Sequence, residues 1–312
     1  MPVKDWIRII RPVNLLLLAA TLYAIDGFIL QPNFNTYGIR FSLNEFQYFL
    51  LVISIVLICA GGYILNDYFD VQIDEVNKPS KVMIGKGIAP NSAFYVYMLL
   101  SFGGLAIGTY LSLAVGNWKL VTIYVMAIAL LYFYSATFKR YPLIGNMMVA
   151  LLAGISILMT FIYEPNLYQL ARPGDYFIAG ICTKFIIALG VIAFTSTMVR
   201  EIVKDLEDME GDDRYGAKTM PIAWGINIAK VIAVVFVLLT LLGIGYIFTN
   251  IIAAEGIIYG TYIGVMLGFW VAVSVRLFLS RTAKQYHTLS TMIKIGMLIG
   301  LLIMPLYSIV EF

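Results

Sequence analysis

The sequence predicts an all-α integral membrane protein with nine transmembrane helices, and two observations carry that prediction. Of its 312 residues, 61% are hydrophobic and only 12% are charged, a balance typical of chains that cross a bilayer many times. The apolar residues also come in runs of roughly 20, the length an α-helix needs to span the hydrocarbon. Such runs lie at about 13–31, 46–66, 93–114, 119–136, 142–163, 174–198, 226–248, 254–279 and 289–310.

Taken in order, the first span follows Arg11-Pro12, a cationic anchor and a proline suited to a helix start, and it carries an acid, Asp26. The second ends at Asn66 and opens into a polar segment, 67–92, that holds Pro79 and Pro90. The fourth closes on Tyr132, Tyr134 and Ser135, and the basic pair Lys139-Arg140 precedes the fifth, which begins with Gly145 and Asn146. About ten residues inside the sixth lies Lys184; an intramembrane charge is costly and faces a partner or a watery cavity by default, with Asp26 as one possible partner. A second polar segment, 199–225, follows the sixth span. Along the eighth, Gly256, Gly260, Gly264 and Gly268 recur every four residues, a stripe expected to let helix backbones pack closely, and Gly296 and Gly300 continue it in the ninth. The chain is read as one domain, residues 1–312.

Nine spans put the two termini on opposite sides. Fifteen Lys and Arg, from Lys4 to Lys294, fall on the N-terminal side, against Arg40, Lys119 and Arg172 on the other. Positive residues accumulate in cytoplasmic loops, so the N-terminus and both long polar segments are expected in the cytoplasm of a multi-pass protein of the cell membrane. The net charge of +3 then reflects topology, and no nucleic-acid surface is expected. Met1 to Pro12 runs straight into a full span and does not resemble a cleavable signal. Cys59 and Cys182 both lie in apolar spans, which supports neither a disulfide framework nor a thiolate metal site. His287 is expected as a solvated residue of a short basic loop.

The chemistry is concentrated in the two polar segments. Asp67, Asp70 and Asp74 are separated by three and then four residues, and so are Asp205, Asp208 and Asp212. On a helix those offsets bring the carboxylates onto one face. Six acids in two groups, out of 18 in the whole chain, are expensive to hold together unless a cation neutralises them. Carboxylate oxygens favour Mg²⁺, which keeps some water and completes its octahedron with substrate phosphates.

At these residues the chain resembles a known family. Asn66-Asp67-Tyr68-Phe69-Asp70, continuing through Asp74, Asn77 and Pro79, is similar to the NxxxDxxxD signature of the UbiA superfamily of intramembrane prenyltransferases. Arg200-Glu201, continuing through Lys204, Asp205, Asp208, Gly211, Asp212, Gly216, Thr219 and Pro221, is similar to its second, DxxxD, signature. The resemblance implies nine helices around a central cavity capped by two cytoplasmic motif loops. It also implies an activity: Mg²⁺ held by the acids binds an isoprenyl diphosphate, which ionises to an allylic cation that a lipophilic acceptor attacks.

It assigns Asn66, Asp70, Asp74, Asp208 and Asp212 to the metal, with Asp67 and Asp205 as further ligands or supports. Lys78, Lys81, Arg200 and Lys204 become the cations that meet the diphosphate as negative charge develops on it. Lysine at position 81, where relatives carry Arg-Pro, keeps the charge but loses the planar fork. Arg11 and Asn14 match an Arg-Pro-x-Asn start and are expected to face substrate. Tyr134, Lys139, Arg140 and Asn146 lie where relatives carry an acceptor-side Tyr and Lys, although Tyr134 to Lys139 is one residue longer than a YxxxK pattern. Within the superfamily the first motif looks most like the geranylgeranylglyceryl phosphate geranylgeranyltransferase branch, which makes archaeal-type ether-lipid precursors. Two other readings stay open: an aromatic prenyltransferase of quinone biosynthesis, and a transporter in which Lys184 and Asp26 are pathway residues. Oligomeric state is not legible from the residues.

Overall fold

The computed structural model describes residues 3–80, 82–169, 176–249 and 257–310. Its helices are α1 (Val3–Ile9), α2 (Pro12–Ile25), α3 (Gln31–Tyr37), α4 (Glu45–Asn77), α5 (Pro90–Ala114), α6 (Val121–Ala136), α7 (Ile144–Ile162), α8 (Asn166–Gln169), α9 (Tyr176–Arg214), α10 (Met220–Ala223), α11 (Ile226–Ile247), α12 (Ile257–Leu279), α13 (Ala283–Gly300) and α14 (Ile303–Val310). Among the described residues nine stretches are long and apolar enough to cross a membrane, and each matches one predicted span. The chain is an all-α, multi-pass integral membrane protein.

The expectation of two long motif loops is corrected. Helix α4 runs on to Asn77 and α9 to Arg214, so both acid groups are helical and the connections begin only after them, at 78–89 and 215–219. At 33 residues, α4 is ~50 Å long and exceeds the ~30 Å hydrocarbon by several turns. The continuous apolar run stops at Asn66, but the helical periodicity does not. Ile73 is buried, and Tyr68, Phe69 and Val71 pack on a cluster formed by Ile9, Ile64, Leu65, Ile84, Ile88, Ala93 and Tyr97. Ile202, Val203 and Leu206 bury the corresponding face of α9. His287 is likewise helical: Thr282 and Gln285 form a capping box that starts α13 at Ala283.

Two compact units divide the chain, residues 1–20, 43–148 and 210–219 in one, and 21–42, 149–209 and 220–312 in the other. In the first, α4 and α5 pack closely because Gly104 has no side chain. A Cβ there would stand 2.8 Å from the Ser54 carbonyl oxygen. In the second, Thr240 of α11 donates to the Thr195 hydroxyl of α9 at 2.9 Å. The buried Lys230 donates to the carbonyls of Phe278 and Ser280 at 3.2 and 2.7 Å, satisfying the end of α12.

The predicted glycine stripe is a second correction. Gly260, Gly264 and Gly268 are exposed and a Cβ at any of them would meet nothing within 4 Å, while Gly256 lies outside the described residues. Of the glycines of the ninth span, Gly296 is the one in close approach, packed against the Phe269 ring.

Candidate active site

The last three turns of α4 carry the first acid group. Asn66 Nδ2 donates to Asp70 Oδ2 at 2.8 Å, the i, i+4 geometry of a helix face. Its amide oxygen, Oδ1, is buried with no hydrogen-bond partner. The other oxygen of Asp70 is taken by the Lys139 ammonium, which pairs with it closely. Asp67 is held by Arg11, whose guanidinium donates to Oδ1 at 2.6 Å and lies 4.7 Å above the centre of the Tyr63 ring. The Tyr63 hydroxyl in turn hydrogen-bonds Asn14. Burial works against the charge of Arg11, but Asp67, with Tyr63 and Tyr134, outweighs it and raises the Arg11 pKa above its ordinary value.

Two strained junctions place these cations. Arg11 has φ +54° at the join of α1 and α2, a left-handed conformation that costs about 1–3 kcal/mol in a non-glycine residue. Lys139 sits in the short turn Phe138–Arg140, ahead of Leu143 at φ +67°. Gly145 lets this turn fold back: a Cβ there would lie 2.7 Å from the Lys139 Cα. The Arg140 side chain is exposed, and its carbonyl accepts the Lys218 N–H at 2.8 Å.

The second acid group ends α9. Asp205, Asp208 and Asp212 are each half-buried along it. The buried Glu201 carboxylate is shared by Arg200 Nη1 at 3.1 Å and Lys204 Nζ at 2.8 Å. Arg200 Nε is buried without a partner. Within the first unit, the Gly211 N–H donates to Asn77 Oδ1 at 2.8 Å, tying the end of α9 to the end of α4. A side chain at 211 would collide with the Asn77 amide.

Residues 36–297 match the UbiA prenyltransferase family. The chain belongs to that family. Among its relatives, digeranylgeranylglyceryl phosphate synthase of Thermococcus sibiricus is 35% identical over 266 residues, which is 83% of this chain and 85% of the relative. A solved structure from a study of digeranylgeranylglyceryl phosphate synthase in membranes has a TM-score of 0.69 at 25% identity, covering 98% of each chain. A UbiA homolog from Archaeoglobus fulgidus, solved with GPP and Mg²⁺ bound, shares the fold with a TM-score of 0.56 at 18% identity over 95% of this chain and 98% of that one.

The protein is therefore a membrane prenyltransferase, and its structure sorts the expected site residues. Asn66, Asp67, Asp70, Arg11, Asn14 and Lys139 converge in the first unit, with Tyr134 within electrostatic reach of Arg11. Asn146 is buried beside that turn. Lys78 is half-buried, and its N–H satisfies the Asp74 carbonyl at the end of α4. Lys81 lies outside the described residues. Lys184 is exposed on α9, while Asp26 is buried and accepts from Gln31 at 2.7 Å, so each has surroundings of its own. His287 pairs with Glu207 at 2.9 Å.

Tyr63, Glu201 and Lys294 gained no role from sequence reasoning. Tyr63 lies one turn before Asp67 on α4, a helical spacing that marks it as a neighbour once α4 is known to continue. Among the described residues, no three His, Cys, Asp or Glu side chains gather as a ready-made chelate.

Proposed function

We propose that this prenyltransferase moves a geranylgeranyl group from geranylgeranyl diphosphate to the free hydroxyl of geranylgeranylglyceryl phosphate. The bond between C1 of the donor and its diphosphate oxygen breaks, an ether bond forms between C1 and the acceptor oxygen, and the hydroxyl proton is released. The observation that carries this reading is the 35% identity, over 83% of the chain, to a relative named for making that product.

The donor set fits a hard divalent cation. Asn66 presents a buried amide oxygen with no hydrogen-bond partner beside Asp70, and amide and carboxylate oxygens suit Mg²⁺. Asn66, Asp70, Asp74, Asp208 and Asp212 would hold the ion, with Asp67 and Asp205 in support. Bound Mg²⁺ would neutralise charge developing on the leaving diphosphate.

The chain's own cations do the rest. Arg11 and Lys139 hold Asp67 and Asp70 in place and keep the first acid group from repelling itself. Lys204, one turn from Asp208, meets the leaving diphosphate. Tyr134, Asn14, Arg140 and Asn146 act on the acceptor side. We place the motif helix ends, and the diphosphate, on the cytoplasmic face, with residues 1–312 working as one domain. The apolar prenyl tails stay among the membrane-spanning helices.

Purified protein incubated with Mg²⁺, a panel of isoprenyl diphosphates, and glyceryl-phosphate or aromatic acceptors tests this. The expected product, by mass spectrometry, is digeranylgeranylglyceryl phosphate. Prenylated aromatic product alone overturns the acceptor assignment.

A further inference from the structure

Tyr63 and Asp67 stand one turn apart on α4, so both project from the same face of the helix. Helical side chains lean toward the N-terminus, and the Asp67 carboxylate therefore reaches back toward the level of the Tyr63 ring. The Arg11 guanidinium sits between them. Its Nη2 donates to Asp67 Oδ1 at 2.6 Å, and its central carbon lies over the Tyr63 ring, 4.7 Å from the ring centre. All three residues belong to the first unit.

Asp67 alone would hold Arg11 poorly. An arginine side chain is long and rich in rotamers, and a single hydrogen bond at its tip leaves the guanidinium free to pivot about that contact. The Arg11 side chain is 38% exposed, so water competes for it on the open side. The junction of α1 and α2 also holds Arg11 in a left-handed conformation, a strain that persists only where the surroundings over-determine it. The ring supplies the restraint that the carboxylate lacks: its negative face attracts the cation, and its flat surface suits a planar group. An aliphatic side chain at 63 would fill the same space and attract no charge. A tyrosine near the end of a span ordinarily serves the interfacial belt, ring toward the headgroups. Tyr63 is instead half-buried, with its ring beneath Arg11.

We infer that Tyr63 is a positioning residue of this prenyltransferase: with Asp67 it forms the seat that fixes the Arg11 guanidinium, and through Arg11 it sets the orientation of Asp67 beside the Mg²⁺ ligands. The inference deepens the metal site proposed above and rests on it for its effect on turnover.

The test measures turnover of the full chain in detergent as Mg²⁺ is varied, with geranylgeranyl diphosphate and geranylgeranylglyceryl phosphate as substrates. Tyr63→Leu removes the ring and is expected to raise the Mg²⁺ concentration for half-maximal rate about tenfold, with kcat at saturating Mg²⁺ within about threefold of wild type, the scale of losing a desolvated cation–π contact. Tyr63→Phe keeps the ring face and should hold the wild-type Mg²⁺ response to within about twofold. Arg11→Lys keeps the charge but loses the plane and the fork, and should reproduce the Tyr63→Leu shift; it also serves if Tyr63→Leu does not fold. Beside Arg11→Met, Tyr63→Leu should add less than about twofold, because its effect passes through Arg11. The full shift in that background, a Phe variant as impaired as the Leu variant, or a wild-type Mg²⁺ response in Tyr63→Leu or Arg11→Lys each overturns the inference. Melting without Mg²⁺ or substrates separates the seat from the metal reading: Tyr63→Leu should lower Tm by about 2–4 °C more in the wild-type background than beside Arg11→Met. That coupling, together with wild-type turnover indifferent to Mg²⁺, supports the seat and sinks the metal site; melts without coupling sink the seat.

Discussion

The two acid-bearing helix ends solve one electrostatic problem in opposite ways. At the end of α4 the counter-charges arrive from distant parts of the chain: Arg11 is 56 residues from Asp67, and Lys139 is 69 residues from Asp70. At the end of α9 the cations belong to the same helix, Arg200 and Lys204 sharing Glu201 within a single turn. The first arrangement depends on tertiary folding, including a left-handed Arg11 and a turn that only Gly145 allows. The second forms wherever α9 is helical. Distant cations fix Asp67 and Asp70 in position, whereas Arg200 and Lys204 are held by Glu201 on their own helix, and the Asn77 to Gly211 link ties the end of α9 to the end of α4.

The largest expected effect falls on both ends alike. Asp70→Asn and Asp208→Asn each keep the size of the side chain and remove its charge, and turnover should drop by about a hundredfold to a thousandfold, the scale of losing one charge-directed interaction with the transition state. Steady-state rates at saturating Mg²⁺ check this, and activity above a tenth of wild type in either variant contradicts the assigned site.

Next in size is the contrast between the ends. Lys139→Met leaves Asp70 without its distant cation and should lower turnover about tenfold, with Gly145→Ala giving a smaller loss of the same kind by displacing the turn. Glu201→Gln, at the local end, should instead lower thermal stability by about 1–3 kcal/mol, the scale of a hydrogen bond to a charged group, with a smaller change in rate. Equal rate losses for Lys139→Met and Glu201→Gln would erase the distinction between fixed and local counter-charges.

Much of this was legible beforehand, and the reasons for the remainder are physical. A span is a length requirement, so runs of apolar residues located all nine stretches. The same criterion failed at Asn66 and near Thr197, because helix continues there with one apolar face and one polar face, and an uninterrupted run no longer marks it. The acids and Asn66 could be read because their spacing is a property of a single helix. Arg11 with Asp67 and Lys139 with Asp70 could not, since no local pattern reports a contact across more than fifty residues. Lys294 was counted only among the cations of the N-terminal side, although the span read from 289 already contained it; α13 begins at Ala283 and carries it three turns inward. Gly260, Gly264 and Gly268 show the reverse error, a regular spacing that faces open space.

Smaller effects sharpen the comparison further. Gly211→Ala sets a methyl group against the Asn77 amide and should cost about 1–3 kcal/mol of stability, read as a lower melting temperature with turnover reduced in proportion to the loss of folded protein. A drop in turnover without any loss of stability would mean that the link tunes the site directly. Gly264→Leu, on the exposed stripe, should change stability by less than about 0.5 kcal/mol; a larger loss would show that a packing partner covers that face.

The most direct measurement of the central claim is binding of an unreactive thio-diphosphate analogue of geranylgeranyl diphosphate, titrated calorimetrically with and without Mg²⁺. The account predicts that wild-type protein binds it only with Mg²⁺, and that Asp70→Asn and Asp208→Asn each weaken binding about a hundredfold while acceptor binding is unchanged. Mg²⁺-independent binding, or full affinity in either variant, would contradict the claim that both helix ends hold the donor through a shared divalent cation.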